Sequence, residues 1–186
     1  SKATDEDIAW WRACLRRLAP ITDGKLAPFE RRLSVRQLEA GDALLHAGDP
    51  AAFVALVREG MLREYFPLKD GLERTRAFNV AGDFAGSLSD LLRGGPARCA
   101  VVAERRSRLI VIPWSLIVMH AEDEPVRAVL AAVTRHLYLS KSEREFELLG
   151  LDAEARYVRF RQRFGPLEAQ LAQRHVASYL GITPGI

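Results

Sequence analysis

The chain is poor in the residues that build metal centres and disulfide frameworks. Its 186 residues include two cysteines, Cys14 and Cys99, too few for a four-thiolate zinc or iron–sulfur site or for the stapled core of a small secreted domain. The four histidines lie far apart without ligand spacing, and no Ser-His-Asp or Cys-His set is evident. We therefore expect no metal site and no catalytic residues, and we predict that the protein is not an enzyme.

Long apolar runs and dense basic tracts are also lacking. The longest apolar run, residues 109–119, is far shorter than a membrane-spanning helix, and the polar, acidic N-terminus is unlike a signal peptide. Lys and Arg number 27 against 24 Asp and Glu, so an anionic partner would have to be met by a local patch. These features predict a cytoplasmic protein without a membrane partner.

Enough apolar residues are present, 48% of the chain, to bury a core. Apolar positions at helical spacing predict a short amphipathic helix before Pro20. Between residues 33 and 112 the pattern changes to short β-rich runs separated by Gly-Asp turns, which is typical of an antiparallel sandwich or barrel. The expected fold class is therefore α+β.

A helical pattern returns after Pro113, with a long helix predicted over residues 123–149. Val126, Leu130, Val133 and Leu137 recur at heptad-like spacing along it. A long helix is stabilised mostly by burying its apolar face, so this stripe predicts either a homodimer interface or packing on the chain's own β-rich part. We favour the dimer, although the stripe turns polar further along.

The C-terminal pattern is that of a helix-turn-helix. An arginine-rich helix is predicted over residues 153–164, and a further segment over 167–180 ends at Gly181. Thr183 and Pro184 then have the form of an N-cap and a first helical residue. This geometry points to DNA, with an ordinary helical hairpin as the alternative. The candidate DNA-binding residues are Gln173, Arg174, His175 and Thr183.

Five segments together resemble one known family. They are residues 44–49 (Leu-Leu-His-Ala-Gly-Asp), 53–63, 82–88 (Gly-Asp-Phe-Ala-Gly-Ser-Leu), 98–100 (Arg-Cys-Ala) and 173–184. In this order they resemble the superfamily of the bacterial cyclic AMP receptor protein and the fumarate-nitrate regulator. The resemblance implies an N-terminal helical segment (1–32), an antiparallel β-roll or double-stranded β-helix (33–115), a connector with a long dimerisation helix (116–150), and a partial C-terminal winged helix-turn-helix (151–186).

The resemblance also implies a ligand site at the family's phosphate-binding cassette. A glycine turn that opens a short helix, with an arginine nearby, suits an anion. The implied ligand-binding residues are Gly86, Ser87, Leu88, Arg98, Cys99 and, on the long helix, Ser142.

Two cassette positions depart from the pattern of cyclic AMP binders. Those proteins carry a glutamate and a Ser or Thr where this chain has Ser87 and Cys99. We therefore expect cyclic AMP to bind weakly or not at all. Arg98 could instead pair with Asp90 or Glu104. The sequence identifies no definite cofactor, and the candidate effector is a cyclic nucleotide or another small anion.

The function implied by the resemblance is a ligand-responsive, dimeric transcription regulator. Its partners would be duplex DNA, a second copy of the chain, a small-molecule effector and RNA polymerase. The alternative is a sensor or protein-interaction module without DNA-binding activity of its own, because the sequence stops where a recognition helix would begin.

Overall fold

Helices flank an antiparallel sheet in the computed structural model, which describes residues 1–182. The helices are α1 (Asp5–Leu18), α2 (Asp23–Glu30), α3 (Leu88–Arg93), α4 (Trp114–Met119), α5 (Glu124–Gly150), α6 (Ala153–Phe164) and α7 (Gln173–Leu180), with a 3₁₀ helix at Gly165–Gln170. The strands are β1 (Ser34–Leu38), β2 (Ala43–Leu45), β3 (Phe53–Pro67), β4 (Glu73–Val80), β5 (Phe84–Ala85) and β6 (Ala100–Pro113). The mixed fold class expected from the sequence is confirmed. Within the described residues, none of the helices has the length and apolar character that crossing a bilayer requires.

β3 and β6 form the centre of a six-stranded sheet. The strand order is β1-β6-β3-β4, with β2 paired to β6 and β5 paired to β3. The antiparallel pairing of β3 and β6 runs from Phe53 opposite Pro113 to Tyr65 opposite Ala100. The sequence predicts separate strands at 53–58 and 61–66, and again at 99–103 and 108–112. In the structure each of these pairs of runs is one long strand.

Gly60 explains why β3 continues where the sequence predicts a turn. Its φ of +98° is a conformation that other residues rarely adopt, and a Cβ there would lie 2.6 Å from the Arg106 carbonyl oxygen. The pairing register shifts on both sides of Gly60. The Met61 amide donates to Ser107 Oγ at 3.1 Å, so the backbone donor remains paired in the irregular stretch. The glycine therefore bends the strand without ending it.

Two apolar clusters lie on opposite faces of the sheet. Leu109 belongs to the cluster inside the roll, whereas its neighbour Ile110 belongs to the cluster under α1 and α2. Alternate side chains of a strand point to opposite faces, so one strand serves both clusters. Trp11 and Leu26, each 1% exposed, anchor the two N-terminal helices to the outer face.

A buried ion pair fixes the start of α1, the helix predicted before Pro20. Thr4 and Asp7 form a reciprocal cap at its N-terminus. Asp7 also accepts from Arg108 on β6, at 2.6 Å from Nη2 and 3.1 Å from Nε. The hydrogen bonds from Arg108 lower the pKa of Asp7 from 3.8 to about 2, despite burial, which acts in the opposite direction.

The C-terminal helices follow α5 after a short break. α5 continues through Gly150, and Asp152 then caps α6 by accepting from the Ala155 amide at 2.8 Å. The segment predicted over 167–180 is divided into the 3₁₀ helix and α7, and α7 ends at the left-handed Gly181. Thr183, the expected cap of a following helix, lies outside the described residues.

Candidate functional site

A cavity of about 960 Å³ lies between the sheet and α5. Side chains of α1, α2, β4, α3, α5 and α7 contribute to its wall. Most of the wall is apolar, as illustrated by Trp11, Phe29, Phe84, Val126, Val133 and Leu137. Its volume is near the upper end of the range of about 300–1,000 Å³ typical of small-molecule pockets.

One end of the cavity is polar. Glu64 on β3 is 4% exposed and accepts from Arg76 Nε at 3.0 Å and from Asn79 Nδ2 at 2.8 Å. Burial disfavours the charged form of Arg76, but the charge of Glu64 outweighs it and raises the Arg76 pKa. Lys141 on α5 also lines this end; its side chain is exposed, but desolvation near the cavity and the positive charge of Arg76 lower its pKa. The arrangement places two cations beside one buried carboxylate.

The predicted cassette residues divide between the cavity and the interior. Gly86 and Leu88 line the cavity, with Gly86 at a φ of +117°. Ser87 and Cys99 are 2% and 0% exposed and are not among the lining residues. Burial raises the pKa of the Cys99 thiol. Ser142 is exposed and lies outside the lining, whereas its neighbour Lys141 is part of it.

Asp90 occupies the centre of the cassette. Only 1% exposed, it accepts from Ser87 Oγ, from Arg93, and from both the amide and the side chain of Arg98, at 3.0 and 3.2 Å for the last two. Burial alone would raise the pKa of Asp90, but these hydrogen bonds outweigh it and hold that pKa below its usual range. The Arg98 side chain is 60% exposed and outside the cavity lining. Of the two partners considered for Arg98, the structure therefore shows pairing with Asp90.

Glu104, the other partner considered for Arg98, bonds to different residues. It accepts from Arg63 Nε at 2.8 Å, and its second oxygen lies 2.9 Å from His175 Nδ1 on α7. Burial disfavours the ionised form, but His175 and Arg63 outweigh it and lower the Glu104 pKa. His175, a predicted DNA-binding residue, is thus in contact with the β-roll.

Arg144 connects the cavity to α7. It lines the cavity, and its guanidinium donates to the backbone oxygens of Tyr179 at 2.5 Å and of Arg76 at 3.3 Å. It also lies over the Tyr179 ring, 3.7 Å from the centroid, and pairs with buried Glu147 at 3.1 Å. Tyr179 itself lines the cavity. The Arg144 side chain therefore links α5, on which it lies, to β4 and to α7.

An aromatic cluster holds α6 and α7 against β4. Phe78 on β4 lies 5.4–6.4 Å, centroid to centroid, from Phe160, Phe164 and Tyr179. Such tilted and edge-on arrangements are favoured by ring quadrupoles. Ser178 of α7 adds a polar contact, because its Oγ accepts from the Thr75 amide and donates to the Glu73 carbonyl, both at 2.8 Å.

Other predicted DNA-facing residues are more open. Gln173 and Arg174 are exposed on α7. The arginines of α6 all contact the chain itself: Arg156 bonds backbone carbonyls, Arg159 and Arg163 pair with Glu147, and Arg161 pairs with Glu168. The basic character of α6 is therefore partly neutralised by neighbouring acids.

The predicted dimer stripe faces the chain's own sheet. Val126 and Val133 are 6% and 7% exposed, and Leu130 and Leu137 are half-buried in the cavity wall. α5 also leaves large apolar side chains in solvent: Tyr138 at 69% and Phe146 at 50% exposed lie outside the cavity lining, whereas Leu139 at 51% and Leu149 at 81% border the cavity.

Sequence reasoning missed the polar end of the cavity and its link to α7. The missed residues are Glu64, Arg76, Lys141, Arg144 and Glu147. An available signal was the adjacent charged residues Arg63 and Glu64 within the otherwise apolar run of residues 61–66, since buried charges need partners. Among residues 1–182, no group of three or more His, Cys, Asp or Glu side chains is arranged to hold a metal ion.

The chain is similar to one protein family in sequence and to several solved structures in fold. Residues 35–118 match the family model of the cyclic nucleotide-binding domain. A CRP/FNR-family transcriptional regulator structure from Eubacterium rectale superposes with a TM-score of 0.75 at 17% identity, covering 90% of this chain and 82% of that one. The c-di-GMP-responsive global regulator CLP of Xanthomonas campestris gives 0.70 at 16%, covering 87% and 86%. The N-terminal domain of a Streptomyces coelicolor transcriptional regulator gives 0.55 at 28%, covering 69% and 95%. No curated protein matches the chain by sequence.

Proposed function

We propose that this chain, which carries a cyclic nucleotide-binding domain and shares the fold of CRP/FNR-family regulators, is the sensor, connector and partial DNA-binding region of a ligand-responsive transcription regulator. In this proposal the cavity takes an effector, α5 joins two copies, and α6 and α7 belong to a helix-turn-helix that reads duplex DNA when complete.

The contact set of Arg144 is the observation that carries the proposal. A ligand changes an equilibrium only if it binds one conformation better than the other. Arg144 and Tyr179 line the cavity and bond to each other, so an occupant that moves Arg144 also changes the support of α7. This supports a regulator in which cavity occupancy alters the position of the DNA-binding helices.

Exposure on α7 and α5 supports the remaining two parts of the proposal. Gln173 and Arg174 are available for phosphate contacts at the start of α7. The exposed apolar side chains of α5 outside the cavity lining, Tyr138 and Phe146, are better candidates for pairing with a second copy than Val126 and Val133, which are already buried.

Filling the cavity tests whether its occupancy reaches DNA. The test uses a form of the protein extended past Ile186 through the next helix, first to select a duplex from a random pool and then to measure its affinity. Leu137→Trp places a larger side chain in the cavity wall, whereas Met119→Trp, at a position 74% exposed on α4, is the matched control.

We expect Leu137→Trp to change affinity for the selected duplex severalfold and Met119→Trp to leave it unchanged. Equal affinities for all three proteins would contradict coupling between cavity and DNA. Failure to select any duplex would favour the sensor or interaction module, in agreement with the internal pairing of the α6 arginines.

A further inference from the structure

The cavity wall suits a hydrocarbon better than a sugar. From α1 and α2 to the middle of α5 it presents aromatic and aliphatic side chains such as Trp11, Phe29, Phe84 and Val133. Apart from the unpartnered indole N–H of Trp11, these side chains offer a ribose hydroxyl no hydrogen-bond partner, and desolvating a hydroxyl without one is unfavourable. A ligand with an apolar body would instead gain from leaving water.

The cavity lining carries four acidic side chains (Glu64, Asp83, Glu143 and Glu145) and four basic ones (Arg76, Lys141, Arg144 and Arg163), so an anion would depend on how these groups are paired. The oxygens of Glu64 are occupied by Arg76 and Asn79, so this carboxylate already balances Arg76. Lys141 makes no salt bridge or hydrogen bond within the described part of the chain, residues 1–182. Its ammonium group is therefore the charge that an incoming anion would meet, with the Arg76 guanidinium beside it.

The groups expected for a cyclic phosphate are held away from the cavity. Ser87 donates to Asp90, and the Arg98 guanidinium is bound to the same carboxylate while mostly exposed. Moving Arg98 into the cavity would break this pair and leave the nearly fully buried Asp90 with fewer donors. The cassette thus offers little to a nucleotide in this arrangement.

From these three features we infer that the cavity binds an amphiphilic organic anion of the medium-chain fatty-acid class. Its carboxylate lies between Lys141 and Arg76, and its hydrocarbon chain runs along the apolar wall towards α1 and α2. This inference rests on the proposed sensor function and names the chemical class of its effector. Arg144 borders the same end, so the carboxylate lies close to the connection with α7.

Calorimetric titration of the 186-residue protein tests the inference with three probes. They are decanoate below its micelle concentration, the uncharged analogue decanol, and cyclic AMP. Lys141→Gln removes the unpaired cation but keeps much of the side-chain volume. Lys69→Gln, at an exposed position between β3 and β4, is the matched control for loss of one positive charge.

We expect decanoate to bind at one site per chain and more tightly than decanol. Losing one charge-assisted hydrogen bond at Lys141 should weaken decanoate binding about tenfold to a hundredfold, with no change for Lys69→Gln. Equal binding of decanoate and decanol, or an unchanged affinity in Lys141→Gln, would overturn the carboxylate site. Binding of cyclic AMP without decanoate would overturn the ligand class yet leave the sensor function standing. Binding of none of the probes would overturn the inference alone, because the cavity-filling experiment on DNA tests the proposed function separately.

Discussion

Removal of the Phe78 ring should loosen the attachment of α6 and α7 to the β-roll. Phe78 is 4% exposed and is the β4 member of the cluster with Phe160, Phe164 and Tyr179. Truncation of a buried phenylalanine to alanine typically costs about 3–5 kcal/mol in free energy of unfolding. Phe78→Ala also loses three aromatic contacts, and we expect its total cost, including those contacts, to fall within that range.

Urea denaturation combined with hydrogen exchange can separate local from global effects. We expect Phe78→Ala to lower the free energy of unfolding by about 3–5 kcal/mol and to accelerate amide exchange in α7 more than in β1 or β6. Phe78→Leu, which keeps much of the apolar volume, is the control and should lose less. A loss below about 1 kcal/mol with unchanged exchange in α7 would refute the claim that this cluster holds the two helices.

Three further predictions concern the N-terminal ion pair, the dimer and the cassette. Because the folded-state pKa of Asp7 is lowered from 3.8 to about 2, its stabilisation is complete above 3.8 and is lost as pH falls through about 2. The shift corresponds to about 2 kcal/mol, so Asp7→Asn should flatten the acid limb of a stability–pH curve, and an unchanged limb would contradict the Arg108 pairing. If α5 pairs through its exposed apolar side chains, sedimentation should show that Tyr138→Glu dissociates a dimer that Leu130→Glu leaves intact; the reverse would assign pairing to the stripe of Val126, Leu130, Val133 and Leu137. Cyclic AMP should bind weakly or not at all, because Ser87 and Cys99 are buried at positions where cyclic AMP binders use polar contacts to the ligand. A calorimetric dissociation constant in the micromolar range or lower would overturn this expectation.

Local signals in the sequence were sufficient for most of the fold. Gly-Asp turns and short β-rich runs predicted the sheet, and Gly181 marked the C-terminal end of α7. The failure at Gly60 has a physical cause, since a glycine with positive φ serves a bulge as well as it serves a turn. A bulge differs from a turn in the residue that lies opposite the glycine on the paired strand. Here that residue is Ser107, which is 47 residues away in sequence.

The candidate site was only partly predictable. Gly86 and Leu88, predicted from the local pattern of a glycine before a short helix, line the cavity. The pairing of Glu64 with Arg76 depends on the register of β3 against β4, and the reach of Arg144 to Tyr179 depends on how α7 docks. The apolar stripe of α5 shows that the helix has a buried face, but the same spacing serves a partner helix or a sheet. Only the packed structure assigns that face to the chain's own cavity.

Equilibrium binding to duplex DNA across a salt series tests the central claim most directly. The 186-residue form and a form extended through the next helix are compared on a selected duplex and on a random duplex. We predict that the shorter form binds both weakly, with strong salt dependence and little preference, because phosphate contacts from α7 residues such as Arg174 carry no sequence information. The extended form should prefer the selected, two-fold symmetric site by about a thousandfold or more. An extended form that binds both duplexes equally at every salt concentration would contradict the regulator account.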